Sequence, residues 1–164
     1  KLYNLSIENV IDALSTFTGA KRRFEFKGTK NGILIYDDYA HHPEEISAAL
    51  SSIRKAYPSM KLTAAFQPHL YTRTRDFAEE FAKALSNVDK LILLDIYPAR
   101  EEPIPGVTSE IIFKDVTAPE KVLLKRSEFM EYMQNEEVEL LVTLGAGDID
   151  RFVGPIAQML EDRR

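Results

Sequence analysis

The sequence predicts an α/β domain: a mostly parallel sheet with helices on both faces and one antiparallel edge strand from an N-terminal hairpin. Short apolar segments of strand length alternate along the chain with segments whose apolar residues recur at helical spacing. Residues 91–94 are apolar throughout, which is typical of a strand covered by helices on both faces. A length of 164 residues, 45% of them hydrophobic, suits a single domain over residues 1–164.

The N-terminal elements are predicted to be a helix and a hairpin. Ser6 is a suitable N-cap for a helix over residues 6–17, whose apolar residues fall on one stripe. Two strands follow, at residues 23–26 and 33–36, joined by a turn around residues 28–32. The stripe of the first helix consists of Ile7, Val10, Ile11 and Leu14.

Two further helices are predicted on either side of a strand at residues 62–66. Pro43 suits the first turn of the earlier helix, and two glutamates follow it at the positive end of the helix dipole. Thr72 or Thr74 is available to cap the later helix. The apolar stripes are Ile46, Leu50, Ile53 and Tyr57 in the earlier helix and Phe77, Phe81 and Leu85 in the later one.

The C-terminal half continues the alternation of strands and helices. A loop rich in proline and charge at residues 98–105 follows the strand at residues 91–94. Asp148 is a suitable cap for a last helix with its own apolar stripe. Between them we predict a short helix at 109–114, a strand at 122–124, a helix at 127–134 and a strand at 140–144.

Composition excludes several classes of function. The formal net charge of −5 offers no general attraction to nucleic acid or to an anionic membrane surface. The chain has no cysteine, which excludes disulfides and thiolate metal sites and fits a cytoplasmic, reducing compartment. No apolar run approaches the length of a membrane helix. Because the chain opens on Lys1 almost directly before a helix, we expect it to be part of a longer protein.

Chemically active side chains collect at one edge of the predicted sheet. In an open parallel sheet, ligands bind beyond the carboxyl ends of the strands. All three histidines and several arginines follow strands that end at this edge, and loops there have no structural need for such residues. The residues are Asp37, Asp38, Tyr39, His41 and His42 after one strand, Gln67, His69, Tyr71, Arg73 and Arg75 after the next, Asp95, Tyr97 and Arg100 after the third, and Gly145, Gly147 and Asp148 after the last.

Residues 37–43 leave three interpretations open. Their carboxylates and imidazoles are metal-ligand types, but adjacent side chains at a strand end point in opposite directions and form no compact ligand set alone. A carboxylate there can instead accept hydrogen bonds from a ribose. In the third interpretation, an Asp and a His only cap the helix that begins at Pro43.

Other charged segments also have two interpretations. Arg73 and Arg75 lie near the start of a predicted helix, where their charge opposes the helix dipole. An anionic ligand at the helix N-terminus would offset that cost; otherwise both arginines point into solvent. The basic run at residues 21–23 is more typical of a solvated edge than of a phosphate clamp. Residues 145–148 lack a full glycine fingerprint and favour helix capping.

Two catalytic motifs are absent from the sequence. There is no G-x-x-x-x-G-K-[ST] phosphate loop, so the chain has no evident means of holding a triphosphate and its magnesium alone. There is also no nucleophile elbow of a Ser/His/Asp hydrolase. We therefore expect the isolated domain to be inactive with ATP.

Four segments of the sequence together resemble the C-terminal domain of the Mur ligases. They occur in the family's order, span nearly the whole chain, and are far more specific together than singly. Within the family they are most similar to the branch that joins L-alanine to UDP-N-acetylmuramate. The segments are residues 22–25, 37–43, 66–74 and 94–101.

The resemblance implies a Rossmann-like fold and a role within a three-domain ligase of bacterial peptidoglycan synthesis. In that family an N-terminal domain binds the UDP-sugar and a central domain carries the phosphate loop and Mg²⁺ sites. The C-terminal domain packs on the central domain and brings in the amino acid. The implied chemistry is activation of the muramoyl carboxylate by ATP as an acyl phosphate, which the amine of L-alanine then attacks.

The resemblance also assigns roles on the nucleotide side of the site. Asp38 would bind the ATP ribose, and Arg23 would reach the same nucleotide. No catalytic residue and no metal ligand is expected in this domain, since the phosphate loop and magnesium ligands belong to the other two. ATP and Mg²⁺ are thus the cofactors of the whole ligase, and neither is expected to bind this domain tightly alone.

On the amino-acid side, the resemblance points to a second group of residues. His69 and Arg73, with Tyr39 nearby, would hold the incoming L-alanine, and Arg73 would face its carboxylate. His41 and His42 match the family motif as further candidate site residues, and the sequence does not separate their roles.

Two other hypotheses stay open. A related ligase that recycles murein tripeptide shares a similar His-His-Pro element, although its second motif differs from residues 66–69. The second hypothesis comes from a different functional class: a free-standing nucleotide- or amino-acid-binding module that catalyses no reaction. A phosphate loop encoded upstream would decide in favour of a ligase.

Overall fold

The structure, a computed structural model, describes residues 6–17 and 19–162, the side chain of Lys30 excepted; Lys1 lies outside the described residues. Six strands form one sheet. The strands are β1 (Glu25–Lys30), β2 (Ile33–Asp38), β3 (Leu62–Phe66), β4 (Lys90–Leu94), β5 (Glu120–Leu124) and β6 (Leu140–Leu144). The helices are α1 (Ile7–Ser15), α2 (Pro43–Ala56), α3 (Tyr71–Asp76), α4 (Ala78–Leu85), α5 (Glu110–Phe113), α6 (Phe129–Asn135) and α7 (Val153–Asp162).

The sheet has the predicted mixed architecture. Its strand order is β1-β2-β6-β3-β4-β5, and every neighbouring pair is parallel except β1 with β2. The hairpin thus supplies one antiparallel strand at the edge, as the sequence predicts. Strand β6, the last in the chain, inserts between β2 and β3 and brings three strand ends together at the centre of the sheet.

Helices cover both faces of the sheet, as predicted. Ala64 and Phe66 on β3 pack into a core cluster with residues of α2, α4 and α5, whereas Ala65 between them packs with α6 and α7. Successive side chains of a strand point to opposite faces, so a strand that is apolar throughout serves both cores. Apart from the stripe of α1, the helical stripes predicted from spacing lie in or against these cores, including Ile46 and Ile53.

The hairpin differs from the prediction in its bounds. Strand β1 starts at Glu25 rather than at residue 23, because Arg22 and Phe24 adopt left-handed backbone angles with φ of 55° and 49°. It extends to residue 30, so the turn is only the pair Asn31–Gly32, with φ of 50° and 84°. Two such residues suit a tight two-residue hairpin loop.

The helix predicted to carry Phe77, Phe81 and Leu85 is divided into α3 and α4 at Phe77, whose φ of −124° is not helical. Neither Thr72 nor Thr74 caps it: the N-cap position is Leu70, without a side-chain cap. The helix predicted at 127–134 begins with a 3₁₀ turn at Arg126–Glu128 and continues as α6. The strands at 62–66 and 140–144 are confirmed.

Helix α1 presents its apolar stripe to solvent. Ser6 caps it as predicted, its side chain accepting a hydrogen bond from the Asn9 amide. In the described part of the chain, however, all residues of α1 are exposed, with Ile7 at 74% and Leu14 at 65%. Among the described residues, no helix is long and apolar enough to cross a membrane.

Candidate functional site

The predicted edge of the sheet brings the ends of β2, β6 and β3 side by side. The Gly145 amide donates to the Asp38 carbonyl at 3.2 Å, and the Gln67 amide donates to the Leu144 carbonyl at 3.1 Å. The parallel order therefore places residues 37–43, 67–75 and 145–148 next to one another, as expected for ligand-binding loops of an open sheet.

Arg22 joins two of these strand ends. Its guanidinium contacts the Asp37 carboxylate at 3.3 Å and donates to the Gly145 carbonyl at 2.5 Å, with its side chain only 18% exposed. Burial raises the pKa of Asp37, although Thr143 and Arg22 act in the opposite direction. The prediction that residues 21–23 are a solvated edge is therefore wrong for Arg22, which has a structural role that a short basic run does not reveal.

Asp38 binds backbone amides that lie just before β1 and just after β2. One carboxylate oxygen accepts from the Phe24 amide at 2.6 Å and the other from the Ala40 amide at 2.7 Å. Neither amide belongs to α2, so the interpretation of Asp38 as a cap of that helix is wrong. An ionised carboxylate has about four acceptor positions. Two protein bonds therefore leave acceptor capacity for a ribose hydroxyl.

An open groove of about 380 Å³ lies beside Asp38. Arg23 lines the groove, and its guanidinium lies over the Tyr39 ring at 5.6 Å from the centroid. Arg22 lies over the same ring at 5.0 Å. The groove thus offers the Asp38 carboxylate and the Arg23 cation, with the Tyr39 ring beside the cation, a combination that suits a ribose and its attached groups. Its other lining residues are Phe24, Glu45, Ala48, Ala49 and Ser52.

A row of aromatic rings leads from the Tyr39 ring beside this groove to His69 and Tyr97. The rings of Tyr39 and His41 meet edge to face with centroids 5.2 Å apart, and those of His41 and His69 lie 6.1 Å apart. His69 stacks on Tyr97 at 5.7 Å with an interplanar angle of 16°. Side chains from three separate loops are therefore in contact, and two of the three histidines share the row.

The structure separates the two adjacent histidines. His41 faces the row, with Nδ1 3.1 Å from the Tyr39 carbonyl and 3.2 Å from the Glu45 carboxylate. His42 is at the N-cap position of α2, and its ring packs on Phe77 at 4.8 Å in a different groove. Glu45 accepts hydrogen bonds from the backbone amides of both histidines, and His42 and Glu45 form the capping box of α2, so a His but not an Asp caps this helix.

Arg73 lies next to His69. Its Nη1 is 3.5 Å from Nδ1 of His69, and burial followed by the charges of Arg73 and His41 lowers the pKa of His69. A neutral imidazole beside a guanidinium leaves Arg73 as the cation of this subsite. Arg75, in contrast, is half exposed and pairs with its neighbour Asp76, so the solvated interpretation holds for Arg75.

The start of α3 is occupied by a side chain of the protein itself. The Glu101 carboxylate accepts from the Thr72 amide at 2.9 Å and from the Thr72 hydroxyl at 2.5 Å. These bonds lower the pKa of Glu101. Glu101 therefore supplies a negative charge at this helix start from within the protein, and the anionic ligand beside the arginines stays a prediction. Residues 98–105 form the predicted loop, but their sequence gives no sign of this contact.

Asp148 was predicted to cap the last helix, and this prediction is wrong. It occupies the N-cap position of a 3₁₀ turn, Ile149–Phe152, but its side chain makes no capping bond. Instead it pairs with Arg126 at 2.8 Å and accepts from Gln67 at 3.1 Å. Gln67, buried at the centre of the edge, also accepts from the Ile149 amide, so it fixes the loop after β6 to the loop after β3.

Metal ligation receives no support from the side chains at this edge. In the described ranges 6–17 and 19–162, no group of three or more His, Asp or Glu side chains could hold a metal ion. Asp37 faces Arg22 and Thr143, whereas Asp38 faces backbone amides. The two carboxylates therefore point to different partners, as expected for neighbours on a strand.

Comparison with known proteins identifies the family. The family profile of the Mur ligase glutamate ligase domain matches residues 22–149, a span that includes every candidate site residue. The chain belongs to the Mur ligase family. A UDP-N-acetylmuramate–L-alanine ligase of Parabacteroides distasonis is 50% identical to it over 153 residues, which cover 93% of this chain and 33% of that protein. The Mur ligase domain thus spans about a third of the length of this relative.

Solved structures share the fold of this Mur ligase domain. The match to a UDP-N-acetylmuramate–alanine ligase from Thermotoga maritima covers 99% of this chain and 34% of the Thermotoga chain, with a TM-score of 0.76 and 24% identity. The match to a murein peptide ligase from Psychrobacter arcticus covers 98% of this chain and 34% of the Psychrobacter chain, with a TM-score of 0.72 and 22% identity. At these identities the likeness concerns the fold alone.

Proposed function

We propose that this Mur ligase domain is the C-terminal, nucleotide- and amino-acid-contacting domain of an ATP-dependent ligase that joins L-alanine to UDP-N-acetylmuramate. The continuous row from Arg23 through Tyr39 and His41 to His69 carries the proposal. It connects a groove suited to a nucleotide with a cationic site suited to a carboxylate. The 50% identical relative, which bears the name of the alanine ligase, supports this substrate assignment over the tripeptide ligase.

The two ends of the row have complementary chemistry. On the nucleotide side, the free acceptor positions of Asp38 would receive a ribose hydroxyl, and Arg23 would approach the same nucleotide. On the amino-acid side, Arg73 would take the carboxylate of L-alanine beside neutral His69. ATP would activate the muramoyl carboxylate for attack by the alanine amine. This domain's own residues would orient the nucleotide and the amino acid.

The remainder of the ligase would supply the phosphate loop, whose motif is absent from this sequence, together with the Mg²⁺ ligands and the UDP-sugar site. The exposed stripe of α1 supports packing on such a neighbouring domain, because Ile7, Ile11 and Leu14 are each more than half exposed. We further propose a cytoplasmic location, where ATP and the nucleotide-linked sugar are available.

The test is phosphate release by the whole ligase and by residues 1–164 alone, with ATP, Mg²⁺ and UDP-N-acetylmuramate. We expect release from the whole ligase that depends on L-alanine, and no release from the domain. Use of murein tripeptide in place of L-alanine would indicate the recycling ligase. Turnover by residues 1–164 alone would show that the phosphate site lies within this domain. No turnover by the whole protein with any amino acid would favour a binding module.

A further inference from the structure

Two loops at the amino-acid end of the row are joined by a single carboxylate. Glu101, in the loop after β4, accepts both the amide and the hydroxyl hydrogen of Thr72, the second residue of α3. The two residues are 29 positions apart in the sequence, so the contact exists only in the folded domain. Arg73 follows Thr72 directly.

Helix α3 depends on this contact because it has little stability of its own. It is six residues long, and the first amides of any helix lack partners within the helix. Its N-cap residue, Leu70, makes no side-chain capping bond and has a φ of 74°, a backbone conformation unfavourable for a leucine. An external acceptor for the Thr72 amide is therefore the main support at this end.

Backbone contacts reinforce the same pair of loops. The Tyr97 amide donates to the Pro68 carbonyl at 2.8 Å, and the Leu70 amide donates to the Tyr97 carbonyl at 3.0 Å. These bonds bracket His69, whose ring stacks on the Tyr97 ring. The loop after β4 therefore holds His69 from one side and the start of α3 from the other.

We propose that Glu101 is a positioning residue for the amino-acid subsite: it fixes the start of α3 and thereby the direction of Arg73 relative to His69. The role rests on the proposed function for the identity of the amino acid. It does not require that Glu101 touches the substrate, because the carboxylate acts on Arg73 through its two bonds to Thr72. A glutamine can keep most of this geometry, since it accepts the amide hydrogen and donates to the hydroxyl oxygen.

The experiment compares Glu101→Ala, Glu101→Gln and the control Glu102→Ala, an exposed neighbour, in the whole ligase. We expect Glu101→Ala to raise the KM for L-alanine about tenfold, because a loosened support misplaces the binding group. The KM values for ATP and UDP-N-acetylmuramate should change less than about twofold. Glu101→Gln and Glu102→Ala should stay close to the unaltered enzyme.

A second readout follows the helix itself, independently of activity. Hydrogen exchange in a peptide covering residues 70–77 of the whole ligase should accelerate in Glu101→Ala and not in Glu101→Gln. Equal loss of alanine affinity in both variants with unchanged exchange would show a direct contact of the charge with substrate and overturn the proposal. An unchanged KM for L-alanine, or a parallel rise of all three KM values with a lower melting temperature, would also overturn it. A ligase that does not use L-alanine would refute the proposed function. Unchanged hydrogen exchange in Glu101→Ala would separately refute the proposal that Glu101 fixes the start of α3.

Discussion

Removal of the Asp38 carboxylate is predicted to affect both stability and nucleotide binding. The resemblance assigns Asp38 to the ribose, and the structure adds bonds to the amides of Phe24 and Ala40. The backbone at Phe24 is left-handed, with a φ of 49°, so the hydrogen bond also holds an unfavourable conformation. In Asp38→Ala both amides lose their acceptor at once.

The magnitude follows from these two bonds. An amide deprived of its acceptor costs about 1–3 kcal/mol, and partial exposure of this loop favours the lower end, so the sum is about 2–3 kcal/mol. For a domain of this size, each kcal/mol lowers the melting temperature by about 2–4 °C, which gives a decrease of about 4–12 °C. Asp38→Asn keeps one acceptor and should lose about half as much. The ATP KM should rise about ten- to a hundredfold in Asp38→Ala through loss of the ribose bond.

Thermal unfolding of the 164-residue chain and steady-state kinetics of the whole ligase measure the two effects. Glu137→Ala, on an exposed loop, is the control and should change stability by less than about 0.5 kcal/mol. A melting temperature of Asp38→Ala within about 1 °C of the unaltered chain would refute the role of the two amide bonds. A lower melting temperature with an unchanged KM for ATP would refute the ribose contact and leave Asp38 as a loop anchor only.

Three further predictions concern the amino-acid end of the site. Arg73→Lys should raise the KM for L-alanine at least about tenfold, because an ammonium cannot bind a carboxylate in a two-point fork; parallel shifts for all three substrates in steady-state kinetics would contradict this. Burial and the charges of Arg73 and His41 lower the pKa of His69 from 6.5, so its NMR titration midpoint should lie below 6.5 and should rise in Arg73→Gln. The stability that the neutral ring contributes is present above the pKa of the unfolded chain, and it decreases as the pH falls through the pKa of the folded chain. Gly147→Ala should destabilise the chain by about 1–3 kcal/mol in thermal unfolding, because a Cβ would lie 2.8 Å from the Tyr97 ring, whereas Gly154→Ala in the open on α7 should be neutral or stabilising.

Much of the fold was predictable because its signals are local. Five-residue segments that are apolar except for one threonine predicted β3 and β6, and a proline followed by two glutamates predicted the start of α2. The alternation of strands and helices placed the site at the carboxyl edge of the sheet. Local signals were weaker at the boundaries. The break at Phe77 and the late start of β1 depend on backbone angles imposed by neighbouring loops.

The sequence by itself determined the α/β class, the antiparallel hairpin, the family and the set of residues that gather at one edge. These follow from spacing and residue type, which constrain the faces of each element. Only the tertiary structure decided which partner each side chain meets: His41 faces the aromatic row and His42 faces Phe77, although they are adjacent in one motif. Only the tertiary structure also showed that Glu101 binds the start of α3 and that Arg22 joins the ends of β2 and β6. Such contacts join residues distant in the chain, so their geometry depends on how the loops pack and not on any local pattern.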